Sequence, residues 1–511
     1  MNSSYFYDYY RKHRRIDLVV LLAAIAFVLF LLNYHRLIIL SPWQLEYREG
    51  AMLIQVDGLL RGMSNFSIEN MPRYFNPYGS LFNDISALIA SVLGNTFPVL
   101  RLVSGTAIIL SCIVVWFVGY RLSRDAVFSF ILTIGFYLQS LYFVIPQARP
   151  DAIGALFFIL GFAVVELIPF GLLSATLVFI CALAGGFFAK AYFIVIAPVA
   201  FSYWIFFKDW KRGSVFALVF GSLGILAIFI TNYFSPGYIS SVLFTTLANS
   251  HVTYTPETWA YMLKQGHEFM LINKGPIAVM LVVVLIAGFN WLKGNGKRVH
   301  LSSSFSLYAL TLLAIDFVFS LGHGMGNYLT YIFALCVPPL LFSAAACWPN
   351  FKQYGDTRLS VGRLLLLATF VFATHKVIGS SDGIEKWGEQ FAEVSAEMKG
   401  YSSIYGSPLV AGLILQSGQA VFDTGHNQYL GAITTYPNLF NLGIPQKTVA
   451  DAYLHYQQEV SEMISHGAFD LIVLNSEDTK NDILKEQNSN YQWLKQMSIN
   501  AWHLNFWVLK Q

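Results

Sequence analysis

One pattern constrains this chain more than any other. Apolar runs of about 18 to 22 residues, nearly free of charge, recur along its first 380 positions. A helix of that length matches the roughly 30 Å hydrocarbon core of a bilayer, at about 1.5 Å of rise per residue. The composition agrees, because only 12% of the 511 residues are charged, whereas a soluble chain carries about 25%. The expected fold class is therefore an all-α polytopic membrane protein. About eleven spans are expected, near 16–40, 98–120, 125–145, 151–168, 170–188, 190–207, 213–235, 272–293, 302–320, 328–348 and 361–379. The four cysteines, Cys112, Cys181, Cys336 and Cys347, fall within or beside these runs and form neither a disulfide framework nor a zinc spacing. The N-terminal basic cluster precedes an apolar run of about 24 residues without a cleavage motif. That run is expected to be a retained first span.

The basic residues orient the spans. Arg11, Lys12, Arg14 and Arg15 precede the first, and Arg121, Arg124, Lys208, Lys211, Arg212, Lys293, Lys297, Arg298, Lys352, Arg358 and Arg363 fall in loops of the same parity. The positive-inside rule puts the N-terminus in the cytoplasm and, with an odd span count, the C-terminus outside. A bacterial inner membrane with a periplasmic tail is the expected location. Two outer loops are long, 41–97 and 236–271. Residues 1–380 then form a transmembrane domain and residues 381–511 a separate one. The tail holds 14 Asp and Glu against 7 Lys and Arg, a net charge of −7 in a chain whose total is +3. An acidic outer segment with a basic remainder suits this topology, and nothing in it suggests a nucleic-acid partner. Helical spacing in IEKWGEQFAEVSAEMKG and KTVADAYLHYQQEVSEMISHG is joined by the β-rich run FDLIVLN. PLVAGLILQSGQAVF reads as helix then strand, and LNFWVLK can pair beside FDLIVLN. A small α/β domain is expected. No Gly-rich phosphate loop opens its helices, so no cofactor is assigned to it.

The first outer loop begins with EYREGAML, which sets Glu46, Arg48 and Glu49 directly beyond the first span. AMLIQVDGLLRG then reads as an amphipathic surface helix ending in glycine, and SLFNDISALIASVL as another. Two such helices would cover a cavity at the membrane boundary.

The succession of E-G, a helix ending in L-x-x-G, an aromatic N-P-Y-G segment and PVLRLVSG at the second span resembles the GT-C superfamily. Its members are integral-membrane glycosyltransferases, and the protein O-mannosyltransferase, lipid A aminoarabinose transferase and rhizobial lipopolysaccharide transferase groups are the nearest. QARPDAIGALFFILG, GGFFAKAYFIVIAP and GHGMGNYLTYIFALCVPPLL resemble later family segments in the same order. The resemblance covers residues 16 to 380. It implies transfer of a sugar from a polyprenyl-phosphate donor to an extracytoplasmic glycan, lipid or protein acceptor. An acidic residue of the first loop would activate the acceptor hydroxyl, and a single displacement would invert the anomeric centre.

That chemistry needs a base within reach of the hydroxyl and cations around the leaving phosphate. Glu49 fits the base position best and Glu46 is the alternative, because the family often has Asp-Glu where this chain has Arg48-Glu49. Glu49 can also serve simply as a helix cap. Arg48, Arg73, Arg149 and Lys190 are the candidate phosphate ligands. Asp151 is placed either to N-cap the fourth span or to bind substrate. Asp316, an intramembrane carboxylate, joins His323, Asn327 and Tyr328 of the late outer turn as candidate substrate contacts. No residues fall at metal-ligand spacing. The residues require no cofactor, though they leave a divalent cation possible. The competing class is a transporter or flippase of lipid-linked sugars. It would show two similar halves with charges near mid-membrane, and here no repeat is evident and the charges gather at one boundary.

Overall fold

The computed structural model describes residues 3–46, 48–142, 147–244, 305–320, 326–349, 356–373, 381–423, 443–478, 480–485, 490–499 and 502–510, with single positions at 256, 260, 263 and 264. The expected span at 272–293 and most of the loop 236–271 lie outside the described residues.

The chain opens with one continuous helix, α1 (Ser3–Leu40), so the basic cluster extends the first span as helix. Next come α2 (Glu49–Leu60), the single turn α3 (Met71–Tyr74), α4 (Leu81–Leu93), α5 (Phe97–Ser123), α6 (Ala126–Tyr142) and α7 (Asp151–Leu167). Helix α8 (Leu172–Ala182) widens into a π-helical turn at Leu183–Phe187. After the Lys190 turn a 3-10 segment, Ala191–Val195, leads into α9 (Ile196–Phe207). Helices α10 (Trp210–Phe234), α11 (Pro236–Ile239), α12 (Phe305–Ser320), α13 (Gly326–Cys347) and α14 (Asp356–Ala373) complete the apolar part. Local signals explain several ends. Asp209 caps α10 by accepting the Lys211 and Arg212 amides at 3.1 Å each. Gly94 ends α4 at φ 88°, a left-handed conformation open to glycine.

Three helices among the described residues are long and apolar enough to cross a membrane: Ile16–Leu40 within α1, α5 and α10. Only 11% of the α10 apolar window is buried within the protein, and Leu218, Phe229, Tyr233 and Phe234 stand exposed along or near it. Such a surface is stable against hydrocarbon, not water, so the chain is an integral membrane protein. Two cores hold the bundle. One packs Phe158, Phe162, Trp204, Phe305 and Phe342. The other joins Leu31, Leu100, Ile131 and Phe370 to Met52 and Leu53 of α2.

Helix α2 corrects an expectation. It is not an amphipathic helix on a surface, because nine of its residues, Glu49 to Val56 and Gly58, are buried. Helix α4 covers one side. The other is covered by the C-terminal part, whose elements are α15 (Ser381–Met398), β1 (Ile404–Gly406), α16 (Ala411–Gln416), α17 (Gln446–Ser465), β2 (Leu471–Asn475), α18 (Lys480–Lys485), β3 (Tyr491–Ile499) and β4 (Trp502–Leu509). Ile54 and Tyr74 share a core with Val410, Ile414 and Phe506. The Trp43 ring stacks on Phe391 at 6.2 Å, and Gln44 Nε2 donates to the Pro408 carbonyl at 3.1 Å. Gly412 lets α16 approach this closely, since a Cβ there would meet the Phe97 ring at 2.4 Å.

The sheet runs β1-β2-β4-β3, parallel between β1 and β2 and antiparallel elsewhere. FDLIVLN and LNFWVLK do pair, as β2 and β4. The helix expected in PLVAGLILQSGQAVF is present as α16, but its strand lies before the helix, at β1, and none follows among the described residues up to 423. A three-residue strand is too short to leave a periodic signal. Strand β3 also went unforeseen. As an edge strand its interior is largely exposed, so it lacks the apolar density that marks β2.

Candidate active site

Arg101 sits in the second turn of α5, fully buried. Its Nη1 donates to the Ile38 and Ser41 carbonyls at 3.2 and 2.5 Å, and its Nη2 to the Trp43 carbonyl at 2.6 Å. The last carbonyls of a helix have no intrahelical partner, so Arg101 caps the end of α1. The same guanidinium grips Glu49 as a fork, Nε to Oε1 at 2.8 Å and Nη2 to Oε2 at 2.6 Å. Glu49 also accepts the Leu45 amide at 2.7 Å and the Ala148 amide at 2.9 Å. All five donors of the guanidinium are thereby used, and each carboxylate oxygen accepts twice. Burial alone would raise the Glu49 carboxyl. The charge and hydrogen bonds of Arg101, with the two amides, outweigh it and hold the group below the usual glutamate range. Glu49 thus ties together the end of α1, the start of α2, α5 and the segment leading to α7.

A second set of charges lies beside this tie. Glu46 accepts the Arg48 amide at 3.0 Å and stands 3.9 Å from Arg149 Nη1. Arg149 Nε lies 3.3 Å from Asp151, and Lys190 Nζ reaches both Asp151 oxygens at 3.1 and 3.4 Å. The Lys190 ammonium also rests 4.4 Å from the Tyr78 ring centre. Ser104 of α5 donates to the Arg149 carbonyl at 3.1 Å and fixes that segment. Arg48, Arg149, Asp151 and Lys190 are buried, whereas 19% of the Glu46 side chain is accessible. With three cations against two carboxylates, this cluster carries a net positive formal charge.

Burial raises the Glu46 carboxyl above the usual glutamate value, resisted by the charges of Arg149 and Arg48 and helped by Glu49. Burial also pushes Lys190, in the turn between two apolar helices, down to about 7, against the pull of Asp151. Both groups are set to titrate nearer neutrality than their free forms, as acid–base and anion sites require.

The structure brings Glu46, Arg48, Arg149, Asp151 and Lys190 together and sets Glu49 behind them. Asp151 is the first residue of α7, one position inside the N-cap Pro150, and its carboxylate faces the two cations. Arg73 is not in the cluster. Its guanidinium lies 5.5 Å from the Tyr74 ring centre and 5.4 Å from that of Phe422. Asp316 lies on α12, and Asn327 and Tyr328 on α13, but their side chains are outside the described residues, as is His323 altogether. Arg101 and Tyr78 were not anticipated. For Arg101 the signal was present in PVLRLVSG, where a lone arginine inside an apolar helix needs an anion. Among the described residues no three His, Cys, Asp or Glu side chains converge as a metal site. Asp151 is already neutralised by Lys190 and Arg149, so the cluster is poorly suited to a divalent cation.

No protein-family model matches the sequence, and no curated protein matches it. The architecture does match. ArnT from Cupriavidus metallidurans, solved bound to undecaprenyl phosphate, superposes with a TM-score of 0.53 over 95% of this chain and 97% of that chain, at 10% identity. The chain has the GT-C fold. An oligosaccharyltransferase of Archaeoglobus fulgidus, tethered to an acceptor peptide, aligns over 93% of this chain and 70% of that chain with a TM-score of 0.49 and 11% identity. The resemblance first carried by short motifs in residues 16 to 380 is thus one of architecture, over 95% of the chain.

Proposed function

We propose that this chain is a membrane glycosyltransferase that moves a sugar from a polyprenyl-phosphate donor to an extracytoplasmic glycan, lipid or protein by inverting displacement. The observation that carries the reading is the juxtaposition of an accessible, acidity-weakened carboxylate, Glu46, with three cations inside a GT-C fold. Glu46 takes the proton of the acceptor hydroxyl while the acceptor oxygen bonds to the anomeric carbon. The carbon–oxygen bond to the phosphate breaks, and polyprenyl phosphate leaves as an anion that Arg48, Arg149 and Lys190 stabilise. Asp151 holds Lys190 and Arg149 in position. Glu49 does not act as the base, because its oxygens have no acceptor position left for a hydroxyl. Lipid analysis of cells lacking the protein tests the reading. Accumulated polyprenyl-phosphate sugar and a glycan or conjugate short of one sugar are expected. An accumulated lipid-linked sugar confined to the cytoplasmic leaflet would favour a flippase instead.

The site's titrations give a second expected result. A base must be ionised, so kcat/KM rises as pH climbs through the elevated Glu46 value. Lys190 must be charged, so kcat/KM falls again above about 7. In Lys190→Arg the guanidinium stays charged, and the alkaline limb should move up by more than one pH unit. An unmoved limb would remove Lys190 from phosphate binding.

The proposed sidedness puts the N-terminus in the cytoplasm and this site, with the sheet, on the opposite face of a bacterial inner membrane. Arg121 and Arg124 at the far end of α5 support it, since Arg101 and the site lie at the near end. A cysteine introduced at Glu389, on α15, should react with an impermeant maleimide in intact cells with the outer membrane permeabilised. Labelling only after inner-membrane lysis would reverse the topology.

A further inference from the structure

We infer that the C-terminal sheet carries a binding site for an anionic pyranose, apart from the charge cluster. In an antiparallel pair directly opposed residues share a face, and alternate residues along a strand do too. Trp493 of β3 pairs with Trp507 of β4, so both indoles, with Tyr491 and Asn505, belong to one face. That face is covered at one end by Val460 and Ile464 of α17 and by Leu484 of α18. Among the described residues none covers the face beyond α18. Trp507 is 4% exposed, whereas its directly paired neighbour Trp493 is 57% exposed. The strand also carries a bulge between Trp493 and Lys495, a device that re-aims side chains at sheet edges.

The result is an open cleft of about 600 Å³, within the size range of small-ligand sites. Trp507 and Trp493 are among its lining residues, Asn505 supplies a side-chain amide, and Lys485 and Lys510 supply the charge. Trp507 and Asn505 are held in place. Trp507 Nε1 donates to Asn481 Oδ1 at 3.0 Å, Asn505 Nδ2 reaches the same oxygen at 3.3 Å, and Gln496 Nε2 donates to Asn505 Oδ1 at 3.1 Å.

An indole face beside an amide and ammonium groups is the chemistry that recognises a sugar ring. The apolar C–H face of a pyranose stacks on the exposed Trp493 ring while the Asn505 amide and the lysine ammonium groups pair with its polar substituents. The charges select further. The segment 381–511 has twice as many acidic as basic residues, yet among the described residues both charged side chains lining the cleft are lysines. Lys485 also contacts Asp482 at 3.1 Å in an exposed pair, which is worth little and yields to a bound anion. A sugar bearing a carboxylate or a phosphate therefore fits better than a neutral one.

Binding is measured directly, without turnover, so the inference does not rest on the transferase reading. The full chain in detergent is mixed with tetragalacturonate, mannose 6-phosphate or maltotetraose, and saturation transfer to the sugar ring protons is read by NMR. The acidic probes should bind and maltotetraose at least about fivefold more weakly; the stronger of the two acidic probes identifies the anion. Trp493→Ala should weaken binding roughly tenfold, and Trp493→Tyr, which keeps a stacking ring, should recover most of it. Lys485→Gln with Lys510→Gln should erase the preference for acidic probes. Undiminished binding by Trp493→Ala, or no transfer to any probe, would overturn the site. Equal binding of maltotetraose would overturn its anionic character. Sugar transfer to a minimal acceptor should survive in Trp493→Ala, so this idea and the proposed activity fail separately.

Discussion

Arg101→Met will leave little folded protein in the membrane, and the loss will exceed that from any single substitution in the neighbouring charge cluster. The substitution strips the counter-charge from Glu49, which has no exposed surface. Breaking a buried pair by removing one partner costs about 3–5 kcal/mol, because the remaining charge is uncompensated. It also strips the donor from the carbonyls of Ile38, Ser41 and Trp43, each unmet polar group adding about 1–3 kcal/mol. Against a typical stability of about 5–15 kcal/mol, the sum is ruinous. Fluorescence-detected size exclusion in mild detergent should show aggregate where the parent gives a symmetric peak. The double variant Arg101→Met, Glu49→Met should regain part of the folded peak, since replacing both members of a buried pair by apolar groups is often near neutral. Recovery stays partial because the three carbonyls and the Leu45 and Ala148 amides remain unpaired. A single variant that folds and unfolds like the parent would mean that the Glu49–Arg101 tie does not hold the loop after α1 to α5.

How far the sequence could be read follows from the range of each signal. Apolar run length placed α5, α7 and α10 to within about three residues, because an apolar helix satisfies its own backbone and needs no distant partner. Helix α2 was found, but its setting was misjudged. Its apolar residues cover every side, and a search for one apolar stripe does not reveal that α16 and α4 both pack on it. Strand β1 and edge strand β3 depend on pairing with residues far along the chain, so their local sequence says little. The site divides in the same way. Arg48, Arg149, Asp151 and Lys190 were recognisable singly as costly charges at one boundary. That Glu46 and Glu49, three residues apart, have opposite environments was not recognisable, since Arg101 and the Ala148 amide come from 52 and 99 residues away.

The two carboxylates therefore make a discriminating pair of variants. Glu46→Gln should reduce transfer from a polyprenyl-phosphate sugar by about 10²–10⁴-fold, the usual contribution of a general base. The thermal midpoint should stay within a few degrees of the parent, because Glu46 makes one backbone hydrogen bond and one long ion pair. Burial already disfavours its charge, so a neutral amide relieves a cost as it removes those contacts. Donor binding should be no weaker and can tighten, since removing the negative charge leaves the pocket more positive toward phosphate. Glu49→Gln should show the reverse order. An amide cannot accept from two donors at both ends, so one nitrogen would face the Arg101 guanidinium and repel it. Stability should fall by about 3 kcal/mol or more, and activity should fall with the folded fraction. Kinetics normalised to folded protein separate the cases. Full normalised activity in Glu46→Gln, with none in well-folded Glu49→Gln, would move the base from Glu46 to Glu49 and require Arg101 to release it during turnover.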